Sequence, residues 1–195
     1  MAKELVVSDA STLIGLAAAE AFGLLRQLFG EVAVTVAIRD EVLAGGERPG
    51  VRELTGAIGD GWIKVVRVRP IAALAANLDV GETTTLSLAI EHRGLSLVLM
   101  DEAIGRSRAR ALGLRVTGLV GVLLAAKRSG LVPSIRPFLD RLRRSDFRLS
   151  EEFVLTVIKE AGEAKSWRAL DRPNKPTTIW NRTAGMRSSL LTHES

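Results

Sequence analysis

Cysteine is absent from the 195 residues, so the chain has neither a disulfide framework nor a thiolate to hold a metal. Histidine is scarce: His92 and His193 are too few and too far apart for an imidazole cage. Any metal must then be held by oxygen donors. No apolar run reaches the roughly 18 to 20 residues needed to span a bilayer, and no basic N-terminal segment leads into a long apolar stretch. These absences set the expectation of a soluble, cytoplasmic protein without membrane association.

An apolar content of 47% is enough for one well-packed α/β domain. The net charge of +5 is unevenly spread: residues 1–103 carry nine Lys and Arg against fourteen Asp and Glu, whereas 104–148 carry eleven against two. An acidic half beside a basic stretch suits an acid pocket next to a surface for a polyanion. Arginines that merely solubilise helices would give the same count.

The first organised stretch is Glu4-Leu5-Val6-Val7-Ser8-Asp9-Ala10-Ser11. Leu5, Val6 and Val7 form the apolar run of a strand buried on both faces of a parallel sheet. Asp9 falls at its carboxyl end, where open α/β sheets bind their ligands. The competing account is that Asp9 or Ser11 only caps a helix beginning near Leu13. Leu97-Val98-Leu99-Met100 repeats the pattern and delivers Asp101 and Glu102 at a second strand end.

Between these strands the periodicity predicts a helical pair from Leu13 to Phe29, a strand over Val32–Val36 and a short helix from Ala37 to Ala44. An edge strand is expected over Trp62–Val68, a short helix from Pro70 to Leu78, and a helix ending near Gly94 with Glu82 in its first turn. Either Asp40 or Glu41 points inward from its helix, and the spacing does not say which. Glu82 suits the helix dipole, but Leu86, Ala89 and Ile90 place it on the buried stripe, where a carboxylate needs a cation. Beyond Glu102 follow a helix from Ala103 to Leu112, a strand over Leu114–Thr117, and helices at 118–127, 133–144 and 150–161. Residues 1–163 form the expected domain. From Ala164 the periodicity fades, and 164–195 is expected to be a disordered or loosely docked tail.

Strand and helix alternation implies a three-layer α/β domain whose central, mainly parallel sheet brings the first and fourth main strand ends together. Converging acids repel: two carboxylates about 4 Å apart do so by about 4 kcal/mol at an effective dielectric of 20. Their motifs contain no lysine to neutralise them. Oxygen ligands without thiol or imidazole point to Mg²⁺ or Mn²⁺, and such an ion suits phosphodiester hydrolysis.

The chain resembles PIN-domain ribonucleases, in particular the group similar to VapC toxins, over about residues 4–163. The resemblance is carried by Val7-Ser8-Asp9-Ala10-Ser11, Val36 to Glu41, Gly81-Glu82, Leu99-Met100-Asp101-Glu102, Arg110 to Leu114 with Thr117-Gly118, and Val122 to Pro133. It implies a PIN-like fold and Asp9, Glu41, Glu82 and Asp101 as catalytic, metal-binding acids, choosing Glu41 over Asp40. It also implies that Ser11 and Thr117 line the site, that RNA is cut by a metal-activated water, and that a small antitoxin protein and a homodimer are the partners. Many PIN domains carry a further acid where this chain has Ala103, which weakens a second metal site; Glu102 is a stand-in or a surface partner of Arg106.

Arg106, Arg108, Arg110, Lys127 and Arg128 are the candidate phosphate contacts. Two alternatives are another acid-pocket phosphohydrolase and a non-catalytic module whose basic stretch binds nucleic acid or a partner. An aspartyl phosphatase should have a second acid where Ser11 stands, and a receiver domain should pair its acids directly after the first strand.

Overall fold

Five short strands, β1 (Leu5–Ser8), β2 (Val32–Thr35), β3 (Ile63–Val66), β4 (Ser96–Leu99) and β5 (Arg115–Thr117), form one sheet in the order β3-β2-β1-β4-β5. Every neighbouring pair is parallel, so the sheet is wholly rather than mainly parallel. The structure is a computed structural model and describes residues 4–92, 96–145, 147 and 149–164. The expected tail falls on residues that, beyond 164, lie outside the described ones.

Nine helices occur among the described residues: α1 (Ala10–Ala18), α2 (Leu24–Phe29), α3 (Val36–Leu43), α4 (Val51–Gly59), α5 (Val80–Glu91), α6 (Ala103–Ala111), α7 (Leu119–Arg128), α8 (Arg136–Arg144) and α9 (Glu151–Glu160). None described is long and apolar enough to cross a membrane. The alternation of strand side chains sorts them into two layers. Val6, Val32, Val34 and Leu99 face one core with Leu13, Leu16, Leu123, Leu139 and Val154. Val7 and Ala33 face Leu88, and Val98 faces Leu86 and Ala109, on the other side. Both faces of the sheet are covered, which is why its strands read as unbroken apolar runs.

Most element positions agree with the sequence pattern, including β3 at the sheet edge with Ile63 buried and Lys64 exposed. The exception is Pro70 to Leu78, where only the 3₁₀ turn Ala72–Leu74 forms. Leu74 is its one buried residue, and Asn77 at φ 64° ends the run in the left-handed region. So short an alanine-rich segment does not nucleate a helix without a face to bury.

The strand order reverses direction of travel between β1 and β4, the switch point at which α/β sheets open a crevice. Their register pairs Val7 with Val98 and Ser8 with Leu99. The ladder continues past the strand ends, because the Asp9 N–H donates to the Leu99 carbonyl at 2.9 Å. Asp9 and Asp101 therefore emerge side by side at the carboxyl edge.

At the other end of α7 the domain is closed by a buried acid. Glu163 is ion-paired with Lys127 and accepts from the Ser134 hydroxyl at 2.6 Å and the Ile135 N–H at 2.9 Å. Burial alone would raise its pKa, but Lys127, Ser134 and Ile135 together hold it below the usual glutamate value. A folded pKa below the unfolded one contributes stability that is present above the unfolded value and lost as pH falls through the folded one. Glu163→Ala should therefore destabilise the protein by about 1–3 kcal/mol in urea unfolding at pH 7. The difference from wild type should shrink as the pH is taken below about 4.

Candidate active site

Asp9 is 4% exposed and is the N-cap of α1. Its Oδ1 accepts the Thr12 N–H at 2.8 Å, while Oδ2 accepts the Ser11 hydroxyl at 2.8 Å and the Asp101 N–H at 3.4 Å. Capping and pocket placement are thus not alternatives for this residue, which does both.

The Asp101 carboxylate turns toward α7. The N-cap of that helix is Gly118, which has no side chain to offer, and Asp101 takes its place by accepting the Leu119 N–H at 3.0 and 3.1 Å. Its Oδ2 also accepts the Thr12 hydroxyl at 2.8 Å. Thr12 is fully buried and ties the two acids together, through its N–H to one and its hydroxyl to the other. The bare backbone at Gly118 is required here, because a Cβ would meet the Asp101 carboxylate and stand 3.2 Å from Arg106 Nη1.

Glu82 enters from α5 in a capping box with Asp79. The Asp79 Oδ1 accepts the Glu82 N–H at 2.7 Å, and Glu82 Oε2 accepts the Asp79 N–H at 3.1 Å. That leaves Glu82 Oε1 buried without a hydrogen-bond partner. It faces Gly105, where a Cβ would lie 2.7 Å away. On α3, Asp40 pairs outward with Arg39 at 2.6 Å, whereas Glu41 reaches the pocket rim while remaining exposed.

A pocket of about 200 Å³ collects these groups, lined by Asp9, Ser11, Ile38, Glu41, Asp79, Glu82 and Glu102. Of the expected residues, Asp9, Glu41, Glu82 and Ser11 come together in it. Asp101 and Thr117 line an adjoining groove instead, and Ala103 faces a third cavity. Glu102 stands at the acid pocket on the mouth-side turn before α6. Asp79 and Thr12 were not singled out by the sequence. The Asp-x-x-Glu capping-box spacing signals Asp79, but nothing local signals Thr12, whose partner is 89 residues away.

The candidate phosphate contacts divide. Arg106 stands beside Asp101 in the adjoining groove, while Arg108 donates to the Ala73 carbonyl at 3.2 Å and Arg110 is exposed on α6. Lys127 and Arg128 lie at the far end of α7, roughly 13 Å along the axis from its N-terminus. Lys127 is occupied by Glu163 and the Pro133 carbonyl, and Arg128 lies 4.0 Å from Glu160. Neither lines the acid pocket.

The electrostatics are those of charges held apart. Burial raises the Asp9 pKa, against hydrogen bonds from Thr12 and Ser11, and the Asp101 charge adds to the rise. Glu41 is raised by the partial desolvation of its carboxyl at the pocket rim and then by Asp79, Asp9 and Glu82. Glu82 is raised by burial and, after the opposing Asp79 N–H, by Asp79, Glu102 and Asp9. Among the described residues no ion pair involves these acids. No three of the described His, Asp or Glu side chains are gathered into a ready-made metal cage. Mg²⁺ keeps several waters and takes few direct carboxylates, so it does not require such a cage. All-oxygen donors and the unpartnered Glu82 Oε1 fit a hard divalent cation.

A family model described as DUF3368, PIN domain, matches residues 5–163. No curated protein matches the chain.

Thr12→Val, isosteric but without the hydroxyl, should cost about 1.5–3 kcal/mol in urea unfolding, because the Asp101 carboxylate loses a buried donor; Thr12→Ser should recover most of it. A second expectation concerns pH. The folded pKa values of Asp9, Glu41 and Glu82 lie above their unfolded ones, so the stability these groups add is complete below the unfolded pKa and is lost as pH rises through the folded pKa. In thermal unfolding with chelator present, Asp9→Asn should flatten this loss as the pH is raised above about 4, the ordinary carboxylate value.

Proposed function

The chain belongs to the PIN-domain family, whose members are generally nucleases, and on that premise we propose that it is a metal-dependent endoribonuclease. The observation that carries this reading is the gathering of Asp9, Glu41, Asp79, Glu82 and Glu102 around one pocket at the sheet's switch point, with Glu82 Oε1 buried and unpartnered. A buried charge without a donor is costly, and a divalent cation is the partner that chemistry supplies.

Asp9, Glu41 and Glu82 would hold Mg²⁺ or Mn²⁺, with Glu102 completing the pocket and Asp101 at its border. Such an ion, when bound, orients water, lowers its pKa and offsets charge on the phosphoryl oxygens. The chain's own groups do the rest. Ser11 fixes Asp9 Oδ2, Thr12 and the Leu119 N–H fix Asp101, and the Asp79 capping box aims Glu82. Arg106, next to Asp101, is placed to take a phosphate flanking the scissile one.

We extend the proposal to a toxin role, with a small antitoxin and a second copy of the chain as partners. Val80, 69% exposed, and Ile104, 54% exposed, lie next to Asp79 and two residues after Glu102, and are the apolar side chains near the acids that a partner would meet. A gene for a small DNA-binding protein directly upstream would support the toxin role, and its absence would favour a solitary nuclease. A non-catalytic nucleic-acid-binding module is the second reading, favoured by the basic stretch 104–148.

The purified full chain, free of any inhibitor, should degrade RNA with Mg²⁺ or Mn²⁺ and not with chelator. Losing supporting groups around a metal costs about 10- to 100-fold, so Asp9→Asn, Glu82→Gln and Asp101→Asn should each lower cleavage by at least about a hundredfold with the fold intact by circular dichroism. Diverse RNAs left whole with either metal would sink the nuclease assignment, and salt-dependent binding without cutting would select the binding module.

A further inference from the structure

Across Asp101 from the acid pocket lies a groove of about 560 Å³, formed between the N-terminal half of α7 and α9 along its length. Asp101 and Arg106 stand at its inner end, Phe147 and Leu149 line it, and Phe153 and Thr156 come from α9.

Three features of this groove point to a planar, partly polar occupant. First, Phe153 is 44% exposed, the one aromatic among the large exposed apolar side chains described. It does not hold α9 in place: Val154, Val157 and Ile158 form the buried stripe of that helix. Ser150 caps α9 by accepting the Phe153 N–H at 3.2 Å, so the residue sits in a fixed first turn. Second, the Phe147 ring is anchored, its edge 3.0 Å from where a Cβ on Gly15 of α1 would stand. Third, the inner end carries a guanidinium against bare backbone, with Arg106 Nη1 beside Gly118. Aromatic faces, hydroxyls and one arginine next to a nuclease-like acid site are what single-stranded nucleic acid uses, since its bases stack and its phosphates seek Arg.

We propose that this groove is a nucleobase subsite for single-stranded RNA, in which a base adjoining the scissile phosphate stacks on Phe153 while Arg106 contacts the intervening phosphate. The assignment rests on the nuclease reading and adds to it where a substrate base is held. Leu119, Val120, Leu124, Leu149 and Val157 also line the groove and would suit a docked amphipathic helix, which is the rival outcome of the test; Arg106 beside the acid site is what favours nucleic acid.

The test uses the full chain with chelator, so that nothing is cut, and labelled single-stranded oligoribonucleotides followed by fluorescence anisotropy. Wild type should bind a base-bearing oligomer at least about tenfold more tightly than an abasic oligomer of the same length. Phe153→Ala should abolish that preference while leaving abasic binding unchanged, and Phe153→Trp should retain it. A 5-iodouridine oligomer should photo-crosslink within 147–156. Retained base preference in Phe153→Ala, or crosslinks elsewhere, overturns the subsite and leaves the groove to a protein partner. If wild type cuts RNA with metal while Phe153→Ala cuts with an unchanged KM, the subsite fails and the nuclease reading stands. If wild type neither binds nor cuts RNA, both fail.

Discussion

The positive end of a helix and a negative carboxylate attract, and this molecule uses that attraction three times at one edge of its sheet. Asp9 caps α1, the Asp79–Glu82 box caps α5, and Asp101 caps α7 in place of Gly118. Each cap satisfies backbone donors that would otherwise be orphaned and holds an acid within a turn of its neighbours. The same contacts temper the repulsion among the acids, so a cluster with raised pKa values at Asp9, Glu41 and Glu82 remains compatible with a folded chain.

Much of this was legible in the sequence because β1 and β4 are short apolar runs ending in acids, and parallel strands with covered faces leave few other ways to write such a sheet. Glu82 was legible through its apolar neighbours at helical spacing. Glu41 was not separable from Asp40 by periodicity, since both have similar apolar neighbours at helical spacing; family resemblance named Glu41, and the geometry places Glu41 at the pocket with Asp40 turned to Arg39.

What stayed hidden depends on contacts far apart in the chain. Asp101 reads as a partner of Asp9 by its place after a strand, yet its side chain is committed to a helix that begins eighteen residues later. Thr12 has no distinguishing neighbours, and Lys127, one cation in a basic stretch, is fixed by Glu163 at 36 residues' separation. Local pattern locates elements well because it reflects which face is buried. It locates side-chain partners poorly because those are chosen by topology.

The link from Thr12 to Asp101 spans 89 residues, and the acid it holds is also held by Leu119. During synthesis, then, an emerging chain carries Asp9, Glu41 and Glu82 long before the strand and helix that fix their neighbour exist. Closing so long a loop is entropically expensive and is repaid only when β4 docks on β1 and α7 packs behind it. The acid cluster is consequently a property of the completed domain rather than of any fragment of it: a truncated or half-made chain has the residues without the arrangement.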